Sequence, residues 1–437
     1  MENKFRLSQI FKLVIPTILM MSFMSLYTIV DGAFVSRFVG TDALSAVNIA
    51  YPYVNFVLGI SIMLGTGGCA LVMKKVGEGK NDEAKKDFSL IISFALIFSI
   101  ILCFLSMIFI EQILKLLGTT DSLYQYAKDY LFFMIIFVIP TILKFIVEQF
   151  LVAINKSKTA LFLSVSGGIL NIILDYVFIV LLGFGIKGAA IATGIGYAIP
   201  AIIGLSFFIN KSNLLYFKIP SKNPKVILES CFNGCSEMVS QLSSGIITFL
   251  FNMVMLKYIG EDGVASITIV LYIQFLVTSV FLGYSIGISP KISFYYGNQD
   301  TNMLKNIIST SLKIIWTISI IIYFSILLAS PLLVRFFAEP STNVFDITID
   351  GLKIYSFSFL MVGTNIFMSG MFTAFSNGKV SAIISLLKTL VFESSGIILI
   401  PMVLNVVGIW ISVPIAEFLG ILICIYFYKK YKHIYNY

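Results

Sequence analysis

The sequence predicts an all-α polytopic membrane protein with twelve transmembrane helices in two six-helix lobes, related by a pseudo-two-fold axis along the membrane normal. Three observations carry this. The 437 residues are 58% hydrophobic and only 12% charged, with a mean hydropathy of +0.97; soluble domains average about 45–50% apolar and about 25% charged residues. Apolar runs long enough to span a bilayer core, which takes about 20 residues each, recur about twelve times. Short loop motifs then return in the second half of the chain at nearly constant spacing.

Taken in order, the spans centre near Ser22, Gly59, Ser99, Pro140, Asn171 and Ile199, and then near Ser240, Phe275, Ile320, Ile366, Leu390 and Glu417. Spans bearing Pro16, Pro140, Pro200 and Pro401 are expected to bend rather than break, because neighbouring helices can satisfy the freed backbone groups. The first apolar run extends past Val30 with no short core and small-residue cleavage site, so it reads as a span and not a cleaved signal.

Orientation follows from the basic residues. Loops on the side of the N-terminus hold 21 Lys and Arg, including Lys4, Arg6, Lys12 and the cluster Lys74, Lys75, Lys80, Lys85, Lys86, against 7 on the other side. That bias places both termini in the cytoplasm and requires an even number of spans. It also accounts for the net charge of +8 without a nucleic-acid partner.

The repeat is read from Gly40-Thr41-Asp42-Ala43 against Gly260-Glu261-Asp262-Gly263, and from Gly79-Lys80-Asn81-Asp82 against Gly297-Asn298-Gln299-Asp300. Asn155-Lys156-Ser157-Lys158 pairs with Ser376-Asn377-Gly378-Lys379, and Gly188-Ala189-Ala190 with Gly408-Ile409-Trp410. Matching spans share the same sense, so the repeats are parallel, and a site between them is a common transporter arrangement. Residues 1–210 form the N-lobe, 211–225 a Lys- and Pro-bearing cytoplasmic linker, and 226–437 the C-lobe.

Within the apolar runs stand six carboxylates: Asp31, Glu148, Asp175, Glu237, Glu393 and Glu417. A charge at bilayer depth costs at least about 2.5–3.5 kcal/mol, so such residues usually face a protein cavity and handle protons, ions or charged cargo. Asn171 and Asp175 are i and i+4, on one helical face. Lys144 and Glu148 have the same spacing and read as a buried ion pair, or, if Glu148 faces a cleft, as an attraction for cationic cargo. Lys388 and Glu393 are five apart, a poor same-face pair.

Five cysteines lie in or beside apolar segments and the single histidine is His433. Cys231 and Cys235 share a face but lack a histidine for a metal site, so they read as small apolar filler. Gly65-Thr66-Gly67-Gly68 is not followed by Gly-Lys-Ser/Thr and reads as close helix packing. With no nucleotide motif and no nucleophile set, the chain is not expected to be an enzyme or to carry a cofactor. An ion gradient remains as its source of energy.

These motifs together resemble the MATE (multidrug and toxic-compound extrusion) family, in its MepA-like branch, over nearly the whole chain. The resemblance rests on Val30-Asp31-Gly32 with Pro16 upstream, the loop at 40–45, and Asn171 through Asp175. Gly188 through Thr193 and Gly408-Ile409-Trp410 through Pro414-Ile415-Ala416-Glu417 complete it. It implies two lobes around a V-shaped cleft in a bacterial plasma membrane, exporting lipophilic organic cations in exchange for protons or sodium ions, with a monomer as the expected state.

It also implies an N-lobe coupling site at Asp31, Asn171, Asp175 and Thr193, able to take a proton or a sodium ion. Two carboxylates in so poorly hydrated a site cannot both ionise cheaply, so one is expected to hold a proton near physiological pH. Pro16 is then a hinge that answers to Asp31, or a static kink. Glu237 is a cargo counter-ion or second coupling acid; some family members pair it with an Asp on the tenth span, where Asn365 is the nearest polar residue here. Lys388, where MepA-like proteins commonly carry Arg, reads with Glu393 as a gating or structural charge, and Glu417 as a packing group. The alternative is a flippase of a lipid-linked saccharide from the same superfamily, which needs a cationic cavity. A channel would need a filter or charged ring, and no such motif is seen.

Overall fold

The computed structural model describes residues 7–437, except the side chain of Thr41; Lys4 and Arg6, used above for orientation, lie outside the described residues. Twelve helical spans are present if the bent fourth helix is one span. In the first half they are α1 (Leu7–Phe38), α2 (Thr41–Gly77), α3 (Asn81–Ile108), α4 (Tyr124–Ile136 and Val138–Ala153), α5 (Ser157–Leu181) and α6 (Ile186–Ser206). In the second half they are α7 (Lys225–Tyr258), α8 (Glu261–Gly297), α9 (Thr301–Arg335), α10 (Asn343–Ala374), α11 (Gly378–Leu399) and α12 (Pro401–Tyr435).

The bend in α4 is 54° at Phe137. Pro140 supplies no N–H to the carbonyl of Ile136 four residues back, so the helix yields there. In α10 the same place is a single 3₁₀ turn at Ser356–Ser358. Helix α1 runs unbroken through Pro16. Two wide π-helical turns stand out: Tyr176–Leu181 directly after Asp175, and Leu387–Glu393, which holds Lys388.

The backbone repeats more strictly than the sequence. Helices α2 and α8 each have 37 residues, and the inner segments of α4 and α10 have 16 each. Left-handed residues at helix ends, or in the case of Asn405 at a kink within α12, recur in pairs 220 or 221 apart: Gly40 and Gly260, Gly79 and Gln299, Gly185 and Asn405, Asn155 and Ser376. One expected match shifts accordingly. Gly79 corresponds to Gln299 (φ 78° and 55°), not to Gly297, because it is the left-handed turn that is repeated, not the glycine.

Two hydrophobic cores fill the lobes, and they exchange helix ends. Ile10 and Val14 of α1 pack into the C-lobe core, while Val226 and Ile227 of α7 pack into the N-lobe core. The inter-lobe seam at that end is backbone against backbone. A Cβ on Gly67 would stand 2.1 Å from the Ser230 carbonyl oxygen, and one on Gly77 2.0 Å from that of Phe294. Toward the other membrane face α2 and α7 part. Gly245 has nothing within 4 Å of its Cβ position, and a 270 Å³ cavity opens between Pro52, Asn55, Leu242 and Phe249.

The connection between lobes is tied to the N-lobe. Lys218 pairs with Asp82 and gives its backbone N–H to the Ser89 hydroxyl at 2.9 Å, and Ser221 N–H donates to the Lys86 carbonyl at 3.2 Å. Phe217 stacks on Phe88 at 5.4 Å.

Candidate functional site

In the N-lobe, α5 delivers Asn171 and Asp175 on one face, both buried, and α6 brings buried Thr193 against them. The amide orientation that matches donors to acceptors has Asn171 N–H donating to Asp175 Oδ2 at 3.2 Å, while its oxygen accepts from the Thr193 backbone N–H at 3.1 Å. Thr193 Oγ1 donates to the Ala189 carbonyl at 3.0 Å. The carboxyls of Asp31, from α1, and Asp175 lie within hydrogen-bonding contact. Each keeps one buried oxygen, Oδ1, with no partner. All four N-lobe residues singled out in the sequence therefore meet.

Chemically, two carboxyls in contact take a shared proton or a cation between them. The unpartnered oxygens, with the Asn and Thr oxygens nearby, are hard ligands of the kind that suit a sodium ion as well. One tyrosine contact near this pair was not legible in the sequence, and it begins at Tyr27, one helical turn before Asp31 on α1. Tyr27 donates to the Tyr197 hydroxyl at 3.1 Å. Only the i−4 spacing of Tyr27 from Asp31 was a signal, and one tyrosine among 21 is a weak one.

Lys144 and Glu148 form the expected ion pair at 3.2 Å, both nearly dry. The ammonium also lies over the Phe145 ring at 4.2 Å and the Tyr197 ring at 5.2 Å, so its desolvation is offset by aromatic faces as well as by the acid. Glu148 is 5% exposed, which leaves it no open face toward solvent.

The C-lobe holds a second buried pair that sequence spacing did not indicate. Lys388 Nζ on α11 stands 2.8 Å from Glu417 Oε1 on α12. Asn365 of α10 donates its amide to Glu417 Oε2 at 2.5 Å and to the Glu417 carbonyl at 2.9 Å. Cys424 Sγ then donates to Asn365 Oδ1 at 3.3 Å. Asn365 is thus engaged with Glu417, not with Glu237. Glu393 is buried one π turn from Lys388. Glu237, on α7 beside the inter-lobe space, has no hydrogen-bond or ion-pair partner among the described residues. Each lobe so carries one buried Lys–Glu pair, built at different places: Asn365 and Glu417 occupy the repeat positions of Lys144 and Tyr197, 221 and 220 residues apart.

A larger cavity of 820 Å³ lies away from the six carboxylates within the spans, at the closed end of the seam between Lys74, Glu78, Tyr296 and Asn436. It contributes nothing to the acid sites.

Two six-span lobes with buried carboxylates inside the membrane define the class of multi-pass membrane transport proteins. The chain matches the MatE family model over residues 16–177 and 237–394, one block in each lobe, and it belongs to that family. It is 25% identical to the multidrug export protein MepA of Staphylococcus haemolyticus over 94% of this chain and 92% of that protein. It is 23% identical to MepA of Staphylococcus aureus (strain MRSA252) over the same shares. In fold it is similar to a multidrug resistance MATE family transporter of the MOP superfamily in an outward-facing conformation. That likeness has a TM-score of 0.92 at 22% identity, covering 98% of this chain and 96% of the other.

Proposed function

We propose that this protein is a multidrug efflux antiporter of the bacterial plasma membrane, with both termini cytoplasmic. It exports lipophilic organic cations in exchange for protons or sodium ions by alternating access. The observation that carries the reading is the contact of Asp31 with Asp175, backed by Asn171 and Thr193. Such a cluster binds a small cation in one state and gives it up in another. A ligand shifts a two-state equilibrium only through its different affinities for the two states, and a site whose two acids come from α1 and α5 changes its affinity whenever those helices move apart.

The relatives' name, multidrug export protein, supports the cargo class. With basic loops inside, the closed Gly67 seam is cytoplasmic and the parted ends of α2 and α7 face outward. A lipid-linked saccharide flippase would need free cationic groups for pyrophosphate, but the two lysines in the middle of spans, Lys144 and Lys388, are already held by Glu148 and Glu417.

The test is efflux of ethidium from proteoliposomes under imposed proton or sodium gradients. Gradient-driven efflux supports antiport, and the effective gradient names the ion. Failure of every organic cation, with transfer of a lipid-linked sugar instead, would contradict it.

A further inference from the structure

The C-lobe contains a connected column of buried hydroxyls that the proposed N-lobe coupling site does not use. Ser381 Oγ of α11 donates to Ser236 Oγ of α7 at 2.8 Å. It also lies 2.8 Å from Thr373 Oγ1 and 2.9 Å from Ser369 Oγ, both of α10. Ser369 Oγ in turn reaches Ser385 Oγ at 3.1 Å. All five are at most 7% exposed.

The column has an ionisable group toward each end. At one end, Ser236 immediately precedes Glu237 on α7. At the other, Ser385 is one helical turn before Lys388, and Ser369 is one turn after Asn365, the two residues that hold Glu417. No hydrogen bond joins Ser385 directly to Lys388 or Glu417 among the described residues, so the relay requires a bridging water between Ser385 and the Glu417 carboxylate.

Helix packing alone does not account for the two central side chains, Thr373 and Ser381, because the N-lobe supplies an internal control for them. Residues 221 earlier, the spacing of Asn155 and Ser376, put Val152 at the place of Thr373 and Ala160 at that of Ser381. Both are buried in the N-lobe core, 3% and 0% exposed. At these two places the same helix crossing packs with apolar residues, whereas Ser369 and Ser385 answer to the buried polar residues Glu148 and Ser164. A hydroxyl is both donor and acceptor, and a file of them passes a proton by each member giving up its own hydrogen and accepting the next.

We propose that Ser236, Ser381, Thr373, Ser369 and Ser385 form a proton relay between Glu237 and the Lys388–Glu417 pair, making Glu417 a second proton-exchanging group of the transporter. It rests on the antiport reading for its use, with the proton as coupling ion. In the step, protonated Glu237 loses its proton to the file, each hydroxyl breaks one O–H bond and forms another, and the Glu417 carboxylate gains the last proton. Nothing is oxidised or reduced. Neutral Glu417 then releases Lys388, whose charge is left facing Glu393 on the same helix. The groups facing Glu417 are Lys388 and Glu393 from α11, Asn365 and Tyr355 from α10, and Cys424 on α12.

The test copies the N-lobe into the C-lobe. Ser381→Ala with Thr373→Val, in the full chain in lipid nanodiscs, keeps volume nearly constant. After a pH jump, time-resolved infrared spectra report protonation of Glu417 as the carboxylic acid band that Glu417→Gln removes. The expected result is that band at full amplitude but about tenfold slower in the double variant, with melting temperature and ethidium affinity unchanged. A band that rises at the wild-type rate, or a wild type with no Glu417 band, overturns the relay. So does a loss of melting temperature in the double variant shared by Ser381→Ala alone, which would mark the column as structural. The infrared reading needs no cargo. Absence of drug efflux with a slowed band would thus sink the antiport reading and leave the relay standing, whereas efflux driven by sodium alone with no Glu417 band would do the reverse.

Discussion

Lys388 and Glu417 meet at 2.8 Å across α11 and α12 in the dry interior of the C-lobe, with the Glu417 side chain 2% exposed and that of Lys388 17%. Such a pair gains little over an apolar one, but removing one partner strands a charge. Lys388→Met should therefore destabilise the protein by about 3–5 kcal/mol, read as a lowered midpoint of thermal unfolding in detergent. Lys388→Met with Glu417→Gln should recover much of that loss. Equal destabilisation by the single and double variants would show that the two groups do not act as a pair.

Asn171 links Asp175 to Thr193, so its amide fixes where the Asp175 carboxyl, proposed above as a coupling group, points. Replacing it by Leu removes the donor while roughly keeping volume. A hydrogen bond to a charged group is worth about 1.5–3 kcal/mol, so gradient-driven ethidium efflux should fall about tenfold or more, with ethidium binding retained. Wild-type efflux in Asn171→Leu would remove the amide from the account.

The spans, the two-fold repeat and the Asn171–Asp175 face were legible because their signals are local, whereas the joining of Asp31 and Thr193 to that face was implied only by the family resemblance. Asn171 and Asp175 are one turn apart, as are Lys144 and Glu148, and helical geometry puts each pair on one face. Lys388–Glu417 was hidden because its partners sit on different helices, and the nearest acid in sequence, Glu393, has the wrong spacing. The hydroxyl column was hidden for the same reason: scattered Ser and Thr become a file only when α7, α10 and α11 pack. The Gly79 match slipped by two residues because sequence shows the residue type, whereas the fold repeats a left-handed turn that Gly79 and Gln299 both make.

The seam at Gly67 and Gly234 leaves no room for a side chain. A Cβ on Gly67 would stand 2.1 Å from the Ser230 oxygen, and one on Gly234 2.0 Å from the Met63 oxygen. Gly67→Val should open this end and bring the opposite ends of α2 and α7 together. Spin labels at Asn55→Cys and Ile246→Cys, in a cysteine-free background, should show a shorter distance population than without the Val. An unchanged distribution would mean that the seam does not set the conformational balance.

The linker is pinned to α3 by Lys218 and Asp82. Hydrogen bonding to Asp82 holds the Lys218 ammonium above its ordinary value of 10.5. A raised lysine contributes its stability fully below the unfolded value and loses it only as pH rises through the folded one. Resistance of residues 211–224 to protease should therefore be flat from about pH 7 to about pH 9. Lys218→Ala should be cut faster across that whole range. A protection that fades near neutrality would contradict the assignment.

The central claim is that Asp31 and Asp175 together exchange the coupling ion for cargo. The most direct measurement is ethidium efflux from proteoliposomes under an imposed ion gradient, comparing wild type with Asp31→Asn, alongside ethidium binding to both. The account predicts that Asp31→Asn binds ethidium but loses gradient-driven efflux, because one carboxyl alone can no longer switch its affinity for the ion. Undiminished efflux in Asp31→Asn would contradict it and move the coupling step to Glu237 and the C-lobe.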